Sequence, residues 1–346
     1  MTTDELELGI AGCGWAGRRH GEAICATPGA SVGAIADPND TARNECANSW
    51  AVTDCYEDYH TMLDSAVLDG IVIALPHHLH EDASIAAATA GVDQLVEKPI
   101  ARTVSEADRM LDAAADAGCS VIVAESARYE PWTVAVDQSL AEHEIGVPLA
   151  ATMNRLADYG GRYHYDRSDW LNDPERLGGG PWLLNGIHAV SVVRSWFETT
   201  GAGRAVRVTA TDARTEAFDA PNGMEGSVTA TIDFESGGSA RVVIAVELPH
   251  CGQFNDVRLH GTEGTLVVDQ ERTTVTIHRP DESTKATDIP SGNAFSRQMA
   301  SFVDHLRSGR ETRTSGRRER NSLALIRAGY ASIDTGKAIA PEYRTA

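Results

Sequence analysis

A glycine-rich turn between an apolar run and a helix-like segment constrains the fold of this chain more than any other feature. The turn has the spacing G-x-G-x-x-G, with glycines at Gly12, Gly14 and Gly17. It follows the apolar run Leu8–Ala11, and a second apolar run ends in Asp37, twenty residues after Gly17. A strand, a turn, a helix and a second strand with an acidic end form a βαβ dinucleotide-binding site. The sequence predicts such a site, and a purely structural glycine turn is the alternative.

Each glycine has a physical role in a site of this kind. Gly12 permits the tight turn, Gly14 lets the backbone approach a pyrophosphate, and Gly17 lets the helix pack close to the strand. The N-terminus of the helix, around Trp15 and Ala16, offers free N–H groups and a partial positive charge to the phosphates. These residues are therefore predicted to bind the cofactor.

The acidic residue Asp37 bears on the choice of cofactor. Its carboxylate would accept hydrogen bonds from the adenosine ribose and would repel a 2′-phosphate. We therefore expect NAD, with NADP as the less favoured alternative. Asn39 and Arg43 lie nearby in the sequence and would soften this preference.

The charge balance excludes two classes of partner. The chain has 346 residues and a formal net charge of −20, and only three of its 30 basic residues are lysines. Nucleic acid and anionic membranes carry the same sign of charge, so neither is an expected partner. Acidic, lysine-poor chains resemble proteins of salt-loving organisms, in which salt screens the self-repulsion. An ordinary acidic cytosolic protein is the alternative.

The remaining composition favours a soluble protein without a metal site. The six cysteines show no C-x-x-C pair and no zinc-ligand spacing. No apolar run has membrane-spanning length, and the acidic stretch Met1–Glu5 does not have the pattern of a signal peptide. We therefore expect a cytoplasmic protein with no metal.

The pattern of apolar runs divides the chain near residue 126. Before that point, short runs rich in Val, Ile and Leu alternate with helical segments, which predicts a doubly wound parallel sheet in a domain at 1–126. The predicted strands are 8–12, 32–36, 70–75, 93–97 and 120–124, and the predicted helices are 16–27, 40–50, 58–66, 80–91 and 104–118.

After residue 126 the pattern favours strands with one buried face. Apolar and polar residues alternate from Val228 to Phe234, for example. We expect an α+β domain with an antiparallel sheet at 127–346. Its predicted strands are 148–156, 204–214, 228–234, 239–248, 254–260, 264–269 and 273–278, and its predicted helices are 131–144, 182–197, one around 299–306, and 315–334.

Two turns at predicted strand ends carry candidate site residues. Pro76, His77 and His80 follow the third run and are expected beside the cofactor, because ligands bind beyond the carboxyl ends of parallel strands. No carboxylate or cysteine set completes a metal site with these histidines. Glu97 and Lys98 follow the fourth run, where a lysine ammonium would lie near a nicotinamide and stabilise alkoxide charge. A surface lysine before a turn is the alternative.

A third stretch combines three glycines with a histidine. The run Gly178–Gly180 predicts a close approach of the backbone to another group, and the helix behind it carries His188. His188 is a candidate base because Lys98 predicts a site that needs one. Aromatic and polar side chains suit the faces and hydroxyl edges of a sugar, although a packed loop is the alternative. The candidate substrate contacts are Tyr163, His164, Asp166, Trp170, Trp182 and Asn185.

Together these stretches resemble the glucose–fructose oxidoreductase, inositol dehydrogenase and rhizopine-catabolism (Gfo/Idh/MocA) family over nearly the whole length. The matching residues are Gly12–Gly17, Asp37, Pro76–His80, Glu97–Pro99, Tyr129–Pro131 and Gly178–His188. The resemblance implies an N-terminal Rossmann domain, a C-terminal α+β domain with an open, mostly antiparallel sheet, and NAD(P)-dependent oxidation or reduction of a sugar, polyol or sugar derivative. It also implies catalytic roles for Lys98 and His188, and a homodimer or homotetramer formed through the sheet.

The chain departs from the family pattern beside His188. The family usually has aspartate four residues earlier, where this chain has Leu184, which transfers no proton. Ser191 replaces another frequent aspartate, and His77 replaces an asparagine. We therefore expect an NAD(P)-dependent dehydrogenase or reductase with an incomplete set of catalytic groups. Two alternatives stay open: a dinucleotide-binding sensor or regulatory relative that has lost catalysis, and an enzyme that uses NAD-assisted elimination or glycoside cleavage.

Overall fold

The structure is a computed structural model that describes residues 5–157, 169–213, 224–245, 253–269 and 271–344. The chain forms two units. The first comprises Met1–Ser126 with Asn293–Arg320, and the second comprises Ala127–Gly292 with Asn321–Ala346. Among the helices in the described ranges, none combines the length and the apolar character needed to cross a membrane.

The first unit is built on a six-stranded parallel sheet with the strand order β3-β2-β1-β4-β5-β6. The predicted doubly wound sheet is confirmed, and the order reverses between β1 and β4, which is where such sheets bind ligands. The strands are β1 (Leu6–Ala11), β2 (Ala30–Ala36), β3 (Asp54–Tyr56), β4 (Gly70–Ile73), β5 (Asp93–Glu97) and β6 (Val121–Ala124). The sequence missed β3, because it has only three residues and no buried face.

Helices on this sheet begin and end at the expected local signals. Their bounds are α1 (Trp15–Cys25), α2 (Asp40–Trp50), α3 (Tyr59–Ser65), α4 (His80–Thr89) and α5 (Val104–Ala117). Thr103 and Glu106 form a capping box at the start of α5, and Gly118 ends it with a φ of 73°. Asn39 caps α2 by accepting a hydrogen bond from the Ala42 N–H.

The segment Asn293–Arg320 belongs to the first unit, which corrects the predicted assignment of the whole range 127–346 to the second domain. Met299, Phe302 and Val303 lie on one helix of this segment. They belong to the same apolar core as Leu8 and Ile10 of β1. The apolar stripe of this helix is visible in the sequence, but the sheet that it covers is set by long-range packing.

The second unit contains an eight-stranded sheet with the order β14-β13-β12-β11-β7-β10-β9-β8. Only the β7–β10 pair is parallel among the paired strands of this described sheet, so the predicted mostly antiparallel sheet is confirmed. The strands are β7 (Pro148–Ala157), β8 (Ala205–Ala213), β9 (Ser227–Phe234), β10 (Ser239–Ala245), β11 (Gln253–Gly261), β12 (Thr265–Val268), β13 (Thr274–His278) and β14 (Thr284–Asp288). The sequence missed β14 because all five of its residues are exposed.

The remaining helices complete the chain. They are α6 (Pro131–Ala141), α7 (Pro174–Leu177), α8 (Ile187–Thr199), α9 (Ala294–Ser308) and α10 (Gly316–Thr335). The predicted helix over 182–197 is not uniform: a π-helical turn, Trp182–Gly186, precedes α8. Turns of this type occur mostly as single insertions in helices and often at functional sites.

Candidate active site

The protein itself requires two of the three glycines in the glycine turn. Gly12 has a φ of +100°, and a Cβ there would lie 2.3 Å from the carbonyl oxygen of Ala74. A Cβ on Gly17 would lie 1.8 Å from the carbonyl oxygen of Gly12. Gly14 is different, because its φ of −72° suits any residue and no described atom beyond its chain neighbours lies within 4 Å of its missing Cβ. The space beside Gly14 therefore fits a bound group that must approach the backbone.

The start of α1 has the properties of an anion-binding helix terminus. Among the described residues, no side chain caps this helix, whose N-cap residue is Gly14. Its first N–H groups are therefore left for other partners. Trp15, the first residue of α1, is 66% exposed, and Ala16 is partly buried. The Trp15 ring makes an edge contact with Phe295 at a centroid distance of 6.0 Å.

Asp37 ties the end of β2 to the glycine turn. Its Oδ2 accepts a hydrogen bond from the Cys13 N–H at 2.7 Å, and its Oδ1 accepts one from the Asn39 N–H at 2.8 Å. Arg43 donates to the backbone carbonyl of Asp37 and to the carboxylate of Asp40. The charge of Arg43 is thus balanced by Asp40, while the carboxylate of Asp37 lies against the turn. This arrangement suits a ribose diol better than a 2′-phosphate.

Glu97 turns inward at the end of β5. His20 of α1 places its Nε2 2.8 Å from Glu97 Oε1, and Glu97 Oε2 accepts a hydrogen bond from the Lys98 N–H at 3.0 Å. Burial alone would raise the pKa of Glu97, but the hydrogen bond to His20 and the charge of Lys98 hold that pKa below its usual value of 4.5. Both carboxylate oxygens therefore have protein partners, and Glu97 fixes the backbone from which Lys98 projects.

His80 links the turns that follow β4 and β5. Its Nδ1 lies 3.0 Å from the carbonyl oxygen of Pro99, and its Nε2 lies 2.9 Å from that of Leu75. The side chain is completely buried. Burial lowers the pKa of His80, against the opposing effect of the two carbonyl oxygens. The sequence predicts His80 as a cofactor contact, whereas both of its ring nitrogens face backbone carbonyls.

The turn before α4 carries the other predicted residues of this stretch. Pro76 is partly buried and precedes a 3₁₀ turn, His77–Leu79. His77 is 4% exposed, and its ring centroid lies 5.5 Å from that of His80. These residues follow β4, and Lys98, which is partly buried, follows the neighbouring strand β5. The two turns therefore lie at the same carboxyl edge of the sheet.

In the second unit, the glycine run packs against two side chains of the same unit. A Cβ on Gly179 would lie 2.5 Å from the Tyr330 hydroxyl, and one on Gly180 would lie 2.6 Å from Glu225 Oε2. Gly178 ends α7 with a φ of 89°. The sequence predicts a close approach of this backbone to another group, and in the structure Tyr330 and Glu225 make that approach.

The π-helical turn and the start of α8 carry the remaining candidates. Asn185 and His188 are each 8% exposed, and Leu184 is partly exposed. Trp182 is completely buried, and its indole N–H donates to the carbonyl of Ile326 at 3.1 Å. Trp182 is therefore a core residue of its unit, and this burial does not support the substrate contact that the sequence predicts.

The loop before the glycine run is only partly described. The predicted substrate contacts Tyr163, His164 and Asp166 lie outside the described residues. Trp170 lies in a 3₁₀ turn, Asp169–Asn172, and is partly exposed.

The sequence does not predict three residues that contact these sites: His20, Glu225 and Tyr330. His20 has one available signal, because it shares the buried face of α1 with Gly17 and Ile24. A polar side chain at such a position needs a hydrogen-bond partner, although the pattern does not reveal which one.

Comparison with known proteins identifies both halves of the chain. Residues 6–125 match the family described as an oxidoreductase family with an NAD-binding Rossmann fold. Residues 133–267 match the Gfo/Idh/MocA C-terminal domain. The chain belongs to the Gfo/Idh/MocA oxidoreductase family. It is thus an oxidoreductase with an NAD-binding Rossmann domain, as the glycine turn and Asp37 predict.

Several known proteins are similar to the chain over most of its length. D-xylose 1-dehydrogenase (NADP(+)) 2 from Haloferax volcanii is 26% identical over 315 residues, which are 88% of this chain and 90% of that protein. D-apiose dehydrogenase from Paraburkholderia graminis is 27% identical over 367 residues, with 98% and 90% covered. The structure of levoglucosan dehydrogenase in complex with NADH has a TM-score of 0.88 at 21% identity, and covers 98% of this chain and 100% of that one.

Proposed function

We propose that the protein is an NAD-dependent dehydrogenase or reductase of a sugar, polyol or sugar derivative. The observation that carries the proposal is the glycine turn, with open space beside Gly14 and the carboxylate of Asp37 bonded to the same turn. Family members that match the chain are named for xylose, apiose, levoglucosan and inositol. These names support a small polyhydroxylated substrate.

The residues of the first unit fit the cofactor. Bound NAD supplies the hydride acceptor or donor of the reaction. Gly14 leaves room for a pyrophosphate at the backbone, and the uncapped N-terminus of α1 favours its negative charge. Asp37 would accept hydrogen bonds from a ribose diol, and the charge of Arg43 is balanced by Asp40. This charge arrangement supports a preference for NAD, whereas the Haloferax relative is named for NADP(+).

Lys98 and His188 are the groups that we assign to the substrate hydroxyl. The ammonium of Lys98 would stabilise negative charge on the substrate oxygen, and the imidazole of His188 would take or return the hydroxyl proton. Leu184 has no ionisable group at the position where the family usually has aspartate. His188 would therefore exchange its proton without that carboxylate.

The test is NADH formation with a panel of aldoses, polyols, inositols and anhydrosugars at low and high salt. Lys98→Ala and His188→Ala should each lower kcat about 100-fold on the best substrate. Lys285→Ala and His260→Ala are matched controls, because both side chains are exposed in strands of the second sheet and should leave kcat unchanged. Full turnover by the Lys98 and His188 variants would refute their assigned roles.

Leu184 favours a second candidate function, in which the protein binds NAD as a sensor without turnover. Tight NAD binding by a wild type that oxidises or reduces nothing in the panel would support this candidate. Redox activity gained in Leu184→Asp would support it further. Conversion of a sugar without net NADH accumulation would instead indicate NAD-assisted elimination or glycoside cleavage.

A further inference from the structure

Glu225 and Tyr330 form a hydrogen-bonded pair against the glycine run of the second unit. The Tyr330 hydroxyl donates to Glu225 Oε1 at 2.7 Å, and Glu225 is 3% exposed. Burial and the nearby charge of Glu225 raise the pKa of Tyr330 well above its usual value. The hydroxyl therefore keeps its proton and stays a donor to the carboxylate at neutral pH.

The pair accepts the backbone N–H groups of residues 180–183, where the π-helical turn begins. The N–H groups of Gly180 and Leu183 donate to the Tyr330 hydroxyl at 3.0 and 3.2 Å. The N–H of Trp182 donates to Glu225 Oε1 at 2.8 Å, and the residue between them, Pro181, has no N–H. Groups at the start of a helix have no partner within the helix, so this pair acts as their cap.

The helix that carries Tyr330, α10, makes two further hydrogen bonds to the segment from Gly178 to Trp182. Arg327 Nη2 donates to the carbonyl of Gly178 at 2.7 Å, and its guanidinium lies 5.4 Å from the centroid of the Tyr330 ring. The carbonyl of Ile326 accepts the indole N–H of Trp182 at 3.1 Å. The segment from Gly178 to Trp182 is therefore held by hydrogen bonds to α10 and to Glu225.

We propose that Glu225 and Tyr330 are positioning residues that hold residues 180–183 and thereby set the orientation of Asn185 and His188. A π-helical turn is an uncommon geometry that needs support from its surroundings. If it relaxed to an α-helix, the residues before α8 would shift by about one position, or about 100° around the axis. The inference rests on the role proposed above for His188, and neither member of the pair is assigned a contact with substrate.

The decisive variant is Tyr330→Phe, which keeps the ring beside Arg327 but removes the acceptor of two backbone N–H groups. Its matched control is Ser332→Ala. Ser332 lies two residues later on the same helix and is buried, and its hydroxyl accepts the Ala210 N–H at 2.9 Å from β8. Both variants lose a buried hydroxyl that bonds to backbone, but only Tyr330→Phe loses contact with the glycine run.

Two measurements separate positioning from a general loss of stability. Hydrogen exchange of peptides covering 178–188 should be faster in Tyr330→Phe and unchanged in Ser332→Ala. On the best substrate, kcat should fall about 10-fold or more in Tyr330→Phe, because a small misplacement of a catalytic group slows the chemical step, while KM for NAD stays the same. Glu225→Gln keeps an oxygen that accepts hydrogen bonds, so it should retain most of the activity that Glu225→Ala loses.

The outcomes distinguish this inference from the proposed function. The positioning role would be overturned if Tyr330→Phe matched Ser332→Ala both in hydrogen exchange over 178–188 and in kcat. Faster exchange with unchanged kcat would also overturn it, because loosening of residues 178–188 would then have no consequence for His188. If the wild type is inactive with all sugars, the proposed function fails. Faster exchange over 178–188 in Tyr330→Phe would then still show that the pair holds this segment. Unchanged exchange would overturn that as well.

Discussion

His20 Nε2 lies 2.8 Å from Glu97 Oε1, and this contact joins the helix that follows the glycine turn to the residue before Lys98. His20 is completely buried, and its Nδ1 has no hydrogen-bond partner among the described residues. Because Nε2 faces a carboxylate, the ring must donate from that nitrogen. The edge of the ring packs against Phe295 at a centroid distance of 5.1 Å. The contact therefore couples the proposed cofactor loop and the proposed catalytic lysine within one unit.

The lowered pKa of Glu97 predicts how this coupling depends on pH. The folded protein favours the ionised carboxylate, so the stabilisation is fully present above pH 4.5 and is lost as the pH falls through the lower folded pKa. Glu97→Gln should therefore destabilise the protein at neutral pH, and its difference from wild type should shrink in acid. Urea unfolding at several pH values would measure this. Glu45→Gln is the control, since it removes an exposed partner of Arg18 and should cost at most about 1 kcal/mol. A difference for Glu97→Gln that does not change with pH would contradict the prediction.

Gly17 and Gly14 of the turn predict different effects of the same substitution. Gly17→Ala should lower stability by about 2 kcal/mol or more, because its Cβ would overlap the carbonyl oxygen of Gly12 at 1.8 Å. Gly14→Ala should leave the melting temperature unchanged, because its Cβ meets no described atom within 4 Å, yet it should weaken NAD binding about 10-fold or more. Thermal melts and calorimetric titration with NAD would test both. Unchanged NAD affinity in Gly14→Ala would show that the open space is not a cofactor site.

The sequence predicts the parts of the molecule whose causes are local. The turn at Gly12–Gly17 and the helix end at Gly118 follow from the conformational limits of single residues, and the buried strands follow from short apolar runs. The placement of Asn293–Arg320 and the pairing of Glu225 with Tyr330 could not be predicted, because each depends on contacts between residues far apart in the chain. The glycine run shows the difference well: its need for close packing is visible in the sequence, but the side chains it packs against are not.

The carboxylate of Asp37 predicts the direction of cofactor selectivity. In Asp37→Ser the hydrogen bonds to a ribose diol weaken and the repulsion of a 2′-phosphate disappears. The ratio of kcat/KM for NAD to that for NADP should therefore fall about 10-fold or more. Asp54→Asn is the matched control, since this exposed carboxylate lies on the adjacent strand β3 and should leave the ratio unchanged. The Haloferax relative is named for NADP(+). If the wild-type protein also preferred NADP, the role assigned to Asp37 would be contradicted.

The net charge of −20 predicts that salt stabilises the protein. Surface carboxylates repel one another in the compact state, and this repulsion weakens as the Debye length falls from about 10 Å at 0.1 M salt to about 3 Å at 1 M. The melting temperature should therefore rise by about 5 °C or more over this range, equally in NaCl and KCl, and should then level off. A non-ionic osmolyte at matched osmolality is the control, because it screens no charge. If the osmolyte raises the melting temperature as much as salt does, charge screening is not the cause, and the composition is that of an ordinary acidic protein.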